Sequence, residues 1–152
     1  MEIVDTLKNG YKIIQNSEMF KFGIDAVLLS YFSFNQIRNN EKIIDLGTGN
    51  GIIPLLLAKS RAKTITGLEI QKENVEIAKK SIALNQLENK INVIQGDIKL
   101  VSKNFPKHSF DSVLTNPPYM INNHGKQNPN DAKLIARHEV LCNLEDIISA
   151  AD

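Results

Sequence analysis

The sequence predicts an α/β fold built on a doubly wound, mainly parallel sheet. Three observations carry that reading. From residue 42 onward, short apolar runs alternate with helical patterns. A glycine turn, Gly47 to Gly51, lies between the first of these runs and the first of these helices. Unusual polar residues then recur wherever a strand pattern ends: Glu69, Asp97 and Asn116. Strand, helix, strand, helix, strand, connection, strand implies right-handed crossovers and parallel pairing. Ligands of such sheets sit outside the carboxyl ends of the strands.

Taken in order, Tyr11 to Gln15 reads as a strand, Asn16 to Glu18 as a turn and Met19 to Phe22 as a returning strand. Ile24 to Phe34 reads as a helix, with Ala26, Val27, Leu28, Leu29, Tyr31 and Phe32 expected to be substantially buried. Asp25 stands where an N-cap belongs. Asn39-Asn40 marks a loop. Lys42 to Leu46 is a short apolar strand, and Ile52 to Ser60 an apolar helix with Pro54 in its first turn, where proline is tolerated. Thr64 to Ile70 is the next strand. Lys72 to Gln86 is an amphipathic helix with Val75, Ala78 and Ile82 inward and Leu84 as a further candidate. Ile91 to Gln95 is a strand, followed by Gly96-Asp97 and a short irregular or helical piece. Phe110 to Thr115 is the last strand and ends at Asn116-Pro117-Pro118-Tyr119. Residues 122–131 form a polar loop, and Leu144 to Ala151 a helix cut short by the chain end.

Length and composition bound the function. The chain's 152 residues fit one domain, and 42% hydrophobic with 23% charged residues excludes a collagen-like, mucin-like or disordered chain. Eighteen Lys and Arg against 17 Asp and Glu leave +1. With no bulk basic field, a nucleic-acid partner would have to be held by a local patch. No apolar run reaches the roughly 18 residues of a membrane span, and the polar start, Met1 to Gly10, does not read as a signal peptide. The single cysteine, Cys142, excludes an internal disulfide and agrees with a reducing cytoplasm. His108, His124 and His138 have no metal-ligand spacing with it, so no metal is expected.

Asp45-Leu46-Gly47-Thr48-Gly49-Asn50-Gly51 has the form D-x-G-x-G-x-G. Read alone, the glycines describe a tight strand-to-helix turn. They also let backbone approach a ligand closely. The spacing is not the G-x-G-x-x-G of dinucleotide folds, and Asp45 would repel a pyrophosphate but suits an amino-bearing ligand. Glu69, at the end of the next strand, stands where an acid accepts from both ribose hydroxyls. Asp97 can accept from an exocyclic adenine amine, or can cap a turn. Adenine, ribose and a cationic amino-acid tail together describe S-adenosylmethionine. Thr48, Ile70 and Ile98, beside these residues, are assigned to the same rim.

With that turn in front, Asn116-Pro117-Pro118-Tyr119 resembles the N-P-P-Y signature of S-adenosylmethionine-dependent methyltransferases that act on a planar amino or amide nitrogen. Phe20 to Leu29 and Ala136-Arg137-His138-Glu139 resemble the bacterial tRNA N6-adenine methyltransferases, and the likeness covers nearly all of residues 9–152. It implies a Rossmann-like class I methyltransferase domain, with residues 1–40 as hairpin and helix, 41–119 as cofactor core and 120–152 as substrate loop and helix. It also implies a tRNA partner, cofactor contacts from Asp25, Asp45, Gly47, Thr48, Gly49, Gly51, Glu69, Ile70, Asp97, Ile98 and Asn116, and an adenine held by Asn116, Pro117, Pro118 and Tyr119. Lys126, Lys133 and Arg137 lie where an RNA backbone would run, or on a solvated loop. Methyltransferases of a release-factor glutamine share the N-P-P-Y turn, so that acceptor stays open, as does a truncated cofactor-binding fragment without activity. The family's sheet usually has seven strands. Four alternating strands are legible here, so the C-terminal strands are expected to be missing and the last legible strand to be an uncovered edge.

Overall fold

The computed structural model describes residues 1–16, 22–117 and 142–152. Its centre is a four-stranded parallel sheet of β3 (Lys42–Leu46), β4 (Thr64–Glu69), β5 (Ile91–Gln95) and β6 (Ser112–Thr115), in the order β5-β4-β3-β6. Ahead of it, β1 (Glu2–Thr6) and β2 (Lys12–Asn16) form an antiparallel hairpin, followed by α1 (Ile24–Phe34). Helices α2 (Ile52–Leu57) and α3 (Lys72–Leu84) connect β3 to β4 and β4 to β5. A 3-10 turn (Ile98–Leu100) and α4 (Val101–Asn104) lead back to β6, and α5 (Leu144–Ala151) ends the chain.

Alternation along the strands builds two cores. Ile43, Ile65, Ile91 and Val93 face one side and pack with Ile52, Ile53, Leu55, Leu57, Val75, Ala78 and Ile82 of α2 and α3. Ile44, Leu46 and Leu68 face the other side, against Ile98, Val101, Phe105, Phe110 and Ala150. Helices thus cover both faces, as a parallel sheet requires. The strand order also reverses at β3: β4 and β5 lie on one side of it and β6 on the other.

The hairpin is strapped to the outer layer by polar contacts. Ile14 N–H donates to Ser81 Oγ at 2.9 Å, and Lys12 and Asn85 exchange hydrogen bonds of 2.8 and 2.6 Å. Asn9 Nδ2 donates to the Leu55 carbonyl at 2.9 Å, adding to the Ala58 N–H that reaches the same carbonyl at 3.4 Å at the end of α2.

The boundaries of α1, β3, β5 and α5 agree with the sequence reading. Other expectations are corrected. The partner of β2 is β1, upstream, not a returning strand; the expected return over residues 19–22 lies mostly outside the described residues, and Phe22 is not in a strand. Helix α1 does not bury Leu28, Tyr31 or Phe32, which are 59%, 77% and 70% exposed. Its buried stripe is Ala26, Ser30 and Ser33, small residues that let it approach α2 closely. Asp25 is not the N-cap; Gly23 is, and Asp25 lies in the first turn, where its charge complements the helix dipole. Helix α2 stops at Leu57, before Ser60, and α3 stops at Leu84, which is exposed. Strand β6 begins at Ser112, two residues late, because Phe110 turns to meet Phe105 edge-on at 5.0 Å. The polar loop over 122–131 lies outside the described residues.

Ser81 is fully buried and its hydroxyl also donates to the Ile77 carbonyl. Ser81→Ala leaves the Ile14 N–H without its acceptor and should cost about 1–2 kcal/mol. A lower urea midpoint at unchanged slope is the expected result.

Candidate functional site

The carboxyl ends of β3, β4, β5 and β6 lie along one rim because the strands are parallel. The reversal at β3 puts the topological switch point between β3 and β6, the position where doubly wound sheets bind ligands. Gly47 to Gly51 leaves the sheet there and Asn116 follows β6 there. Thr115 Oγ1 donates to the Leu46 carbonyl at 2.9 Å, so the residue before Asn116 is tied to the residue before Gly47.

The glycine turn takes a backbone path that side chains disfavour. Gly47, Gly49 and Gly51 have φ of +75°, +57° and +83°. The turn is held by the end of β4. The Leu68 carbonyl accepts from Gly47 N–H at 2.9 Å and from Thr48 N–H at 3.1 Å. Glu69 Oε2 accepts from Gly49 N–H at 2.9 Å, and its Oε1 from Gln71 N–H at 2.8 Å. The end of β5 is tied in the same way, with Gly96 N–H donating to the Glu69 carbonyl at 2.9 Å.

Asp45 and Glu69 lie on the same face, and both are buried. Their environments differ. Glu69 receives two backbone N–H groups. Neither Asp45 oxygen has a hydrogen-bond partner among the described residues, nor has Thr48 Oγ1. Burial pushes the Asp45 carboxyl from 3.8 up to about 7. The Thr48 hydroxyl opposes this rise from outside hydrogen-bonding geometry, and the charge of Glu69 adds to it. Asp97 caps the 3-10 turn, its Oδ1 accepting from Lys99 N–H at 2.9 Å. Ile98, next to it, packs in the second core, and Ile70 follows Glu69 off the strand. Asn116 and Pro117 are half-buried beyond β6. Asp25 is exposed on α1. Pro118, Tyr119, Lys126, Lys133 and Arg137 lie outside the described residues.

Sequence reasoning missed Gly67, Thr115 and the grip of Glu69 on the turn. Gly67 had a readable signal, since glycine inside a strand marks a bulge or a close approach. The other two are contacts between segments far apart in the chain and had none.

The model of the methyltransferase small domain matches residues 18–139. The chain belongs to this family. A tRNA1(Val) (adenine(37)-N6)-methyltransferase of Tolumonas auensis is 33% identical over 84% of this chain and 52% of its own length. This chain spans about half the length of the curated relatives it matches. Among solved structures, Methanocaldococcus jannaschii Trm5 in complex with adenosine superimposes with a TM-score of 0.64 at 23% identity, over 78% of this chain and 35% of that one. The SAM-dependent methyltransferase from Agrobacterium tumefaciens gives 0.59 at 22% identity, over 77% and 40%. The Rossmann-like fold expected from the sequence is therefore the one observed, and the family read from the N-P-P-Y turn is the one found.

The buried Asp45 gives a pH signature. Its pKa is raised in the folded chain, so between about pH 4 and 7 the folded state holds a proton that the unfolded state has released. The stabilisation is complete below the unfolded pKa and is lost as pH rises through about 7. The difference reaches about 4 kcal/mol at most. Asp45→Asn removes this titration. Urea unfolding at pH 5 and pH 8 should show the unliganded wild type losing stability relative to the variant at the higher pH; a pH-independent difference contradicts the assignment.

Proposed function

We propose that this domain binds S-adenosylmethionine and serves transfer of its methyl group to the exocyclic N6 of an adenine in tRNA. The observation that carries the reading is the coincidence, at the β3/β6 switch point, of a buried acid with no hydrogen-bond partner among the described residues, a pinned glycine turn and Asn116-Pro117. The names of the curated relatives support the tRNA acceptor, and such an acceptor belongs in the cytoplasm.

The residues fit the cofactor chemically. Asp45 has two free acceptor oxygens for an ammonium group. Glu69 uses one acceptor site on each oxygen for backbone, and a carboxylate offers about four in all, leaving capacity for the ribose hydroxyls. Asp97 keeps its second oxygen for an adenine amine. Gly47, Thr48, Gly49 and Gly51 form the wall, with Ile70 and Ile98 beside it. The cofactor would supply an electrophilic methyl on a sulfonium. Asp25 is a further contact in this reading.

The chain's task at the other reactant is to make an amine reactive. The lone pair of an adenine N6 is delocalised into its ring. The Asn116 side-chain oxygen and the Pro117 carbonyl accept from its two hydrogens and favour the pyramidal, positively charging nitrogen. A hydrogen bond contributes about 0.5–1.5 kcal/mol when neutral and 1.5–3 when one partner is charged, so the pair lowers the barrier by about 2–3 kcal/mol. Holding the reactants in line supplies more, about 7–11 kcal/mol. In this reading Pro118 and Tyr119 are the residues assigned to a flipped base and Lys126, Lys133 and Arg137 those assigned to phosphate; all five lie outside the described residues. No strong base is required, because the methylated ammonium loses its proton readily.

Two measurements test this. Labelled methyl should pass from S-adenosylmethionine to unmodified tRNA and be recovered as N6-methyladenosine, and Asn116→Ala, which removes one acceptor of the pair and so about 1–1.5 kcal/mol, should slow transfer roughly 5- to 15-fold. Transfer to a release-factor glutamine in place of tRNA would select the alternative acceptor, and an undiminished Asn116→Ala would remove Asn116 from its role. Affinity for S-adenosylmethionine should also rise from pH 6 to pH 8 as Asp45 ionises. Calorimetry on Asp45→Asn should show a flat profile.

A further inference from the structure

Gly67 stands in β4 immediately before Leu68 and Glu69, the two residues that grip the turn, and its own atoms face no ligand in the reading above. It is the register partner of Asp45 on β3, so both point to the same face. The space above it is filled by Thr48. A Cβ built on Gly67 would lie 2.6 Å from Thr48 Cγ2 and 2.9 Å from both Thr48 Cβ and Oγ1. Non-bonded carbon atoms settle at about 3.5–4.0 Å. Rotating the Thr48 side chain could move Cγ2 and Oγ1 away, but Cβ moves only with the backbone.

The strand cannot yield instead. β4 is paired on both sides, to β3 and β5. The turn can yield, since Thr48 is flanked by Gly47 and Gly49, both at positive φ. Moving Thr48 outward would stretch its own bond to the Leu68 carbonyl, the neighbouring bond from Gly47, and the bond from Gly49 N–H to Glu69. It would also open the cover over the Asp45 carboxyl.

We propose that Gly67 is a positioning residue for the cofactor site: its missing side chain is the slot that seats Thr48, and Thr48 seated there fixes the glycine turn against Glu69 and Asp45. The proposal rests on the cofactor reading above. It makes Gly67 and Thr48 a matched pair whose volumes can be exchanged.

The test is calorimetric binding of S-adenosylhomocysteine to the wild-type chain, Gly67→Ala, Thr48→Gly and the double variant. Gly67→Ala should weaken binding at least tenfold, and the double variant should recover at least threefold of that loss. Stoichiometry and unliganded urea unfolding together separate positioning from mere damage: misfolded chains lower the stoichiometry, a chain that raises Kd by partial unfolding shows it in its unliganded unfolding curve, and a displaced turn raises Kd at full stoichiometry in a chain that is fully folded without ligand. Gly67→Ala binding within twofold of wild type, or a double variant no better than Gly67→Ala, overturns the proposal. Should Gly67→Ala not fold, a double variant that folds and binds supports the pairing and one that does not overturns it. A wild-type chain that does not bind overturns the cofactor reading itself, which is distinct from a binding wild type with an unaffected variant.

Discussion

The glycine turn cannot hold itself, and the site depends on what holds it. Three glycines at positive φ give the chain a sharp path from β3 into α2, but glycine has the most freedom to lose on ordering. The constraint comes from outside, from the last residues of β4. Gly67 leaves room, the Leu68 carbonyl takes two amides, and the Glu69 carboxylate takes a third. Because β4 lies inside the sheet, these groups are fixed by pairing on both sides before they meet the turn.

The same arrangement separates two neighbouring acids. Glu69 receives two backbone donors, whereas among the described residues neither Asp45 oxygen accepts a hydrogen bond and only the Thr48 hydroxyl stands near it. Burying an unpartnered carboxylate is unfavourable, and the group responds by holding its proton to about pH 7. Such groups cluster where proteins bind or transform ligands. Here the disfavoured acid lies under the turn, one residue before Leu46 on β3, whose tie to Thr115 brings Asn116 alongside.

Where sequence reasoning erred, the pattern had more than one solution. Helix α1 carries apolar residues around most of its circumference, so periodicity could not choose a face. Close packing on α2 selected Ala26, Ser30 and Ser33 and left Tyr31 and Phe32 outside. β1 carries no core-facing alternation because all five of its residues are exposed; it is a strand only because β2 offers it an edge. Phe110 was apolar enough for a strand but found an aromatic partner first.

The sequence by itself determined the alternation of strands and helices, the parallel sheet that follows from it, and the identity of the residues at each strand end. Those are consequences of local periodicity and of glycine and proline chemistry, which need no distant partner. Tertiary structure alone decided how these residues relate: that Glu69 is committed in part to backbone, that Asp45 has no hydrogen-bond partner among the described residues, and that Gly67 sits beneath Thr48. These are properties of space shared by segments about 20 residues or more apart, and a short-range pattern carries no information about such spaces.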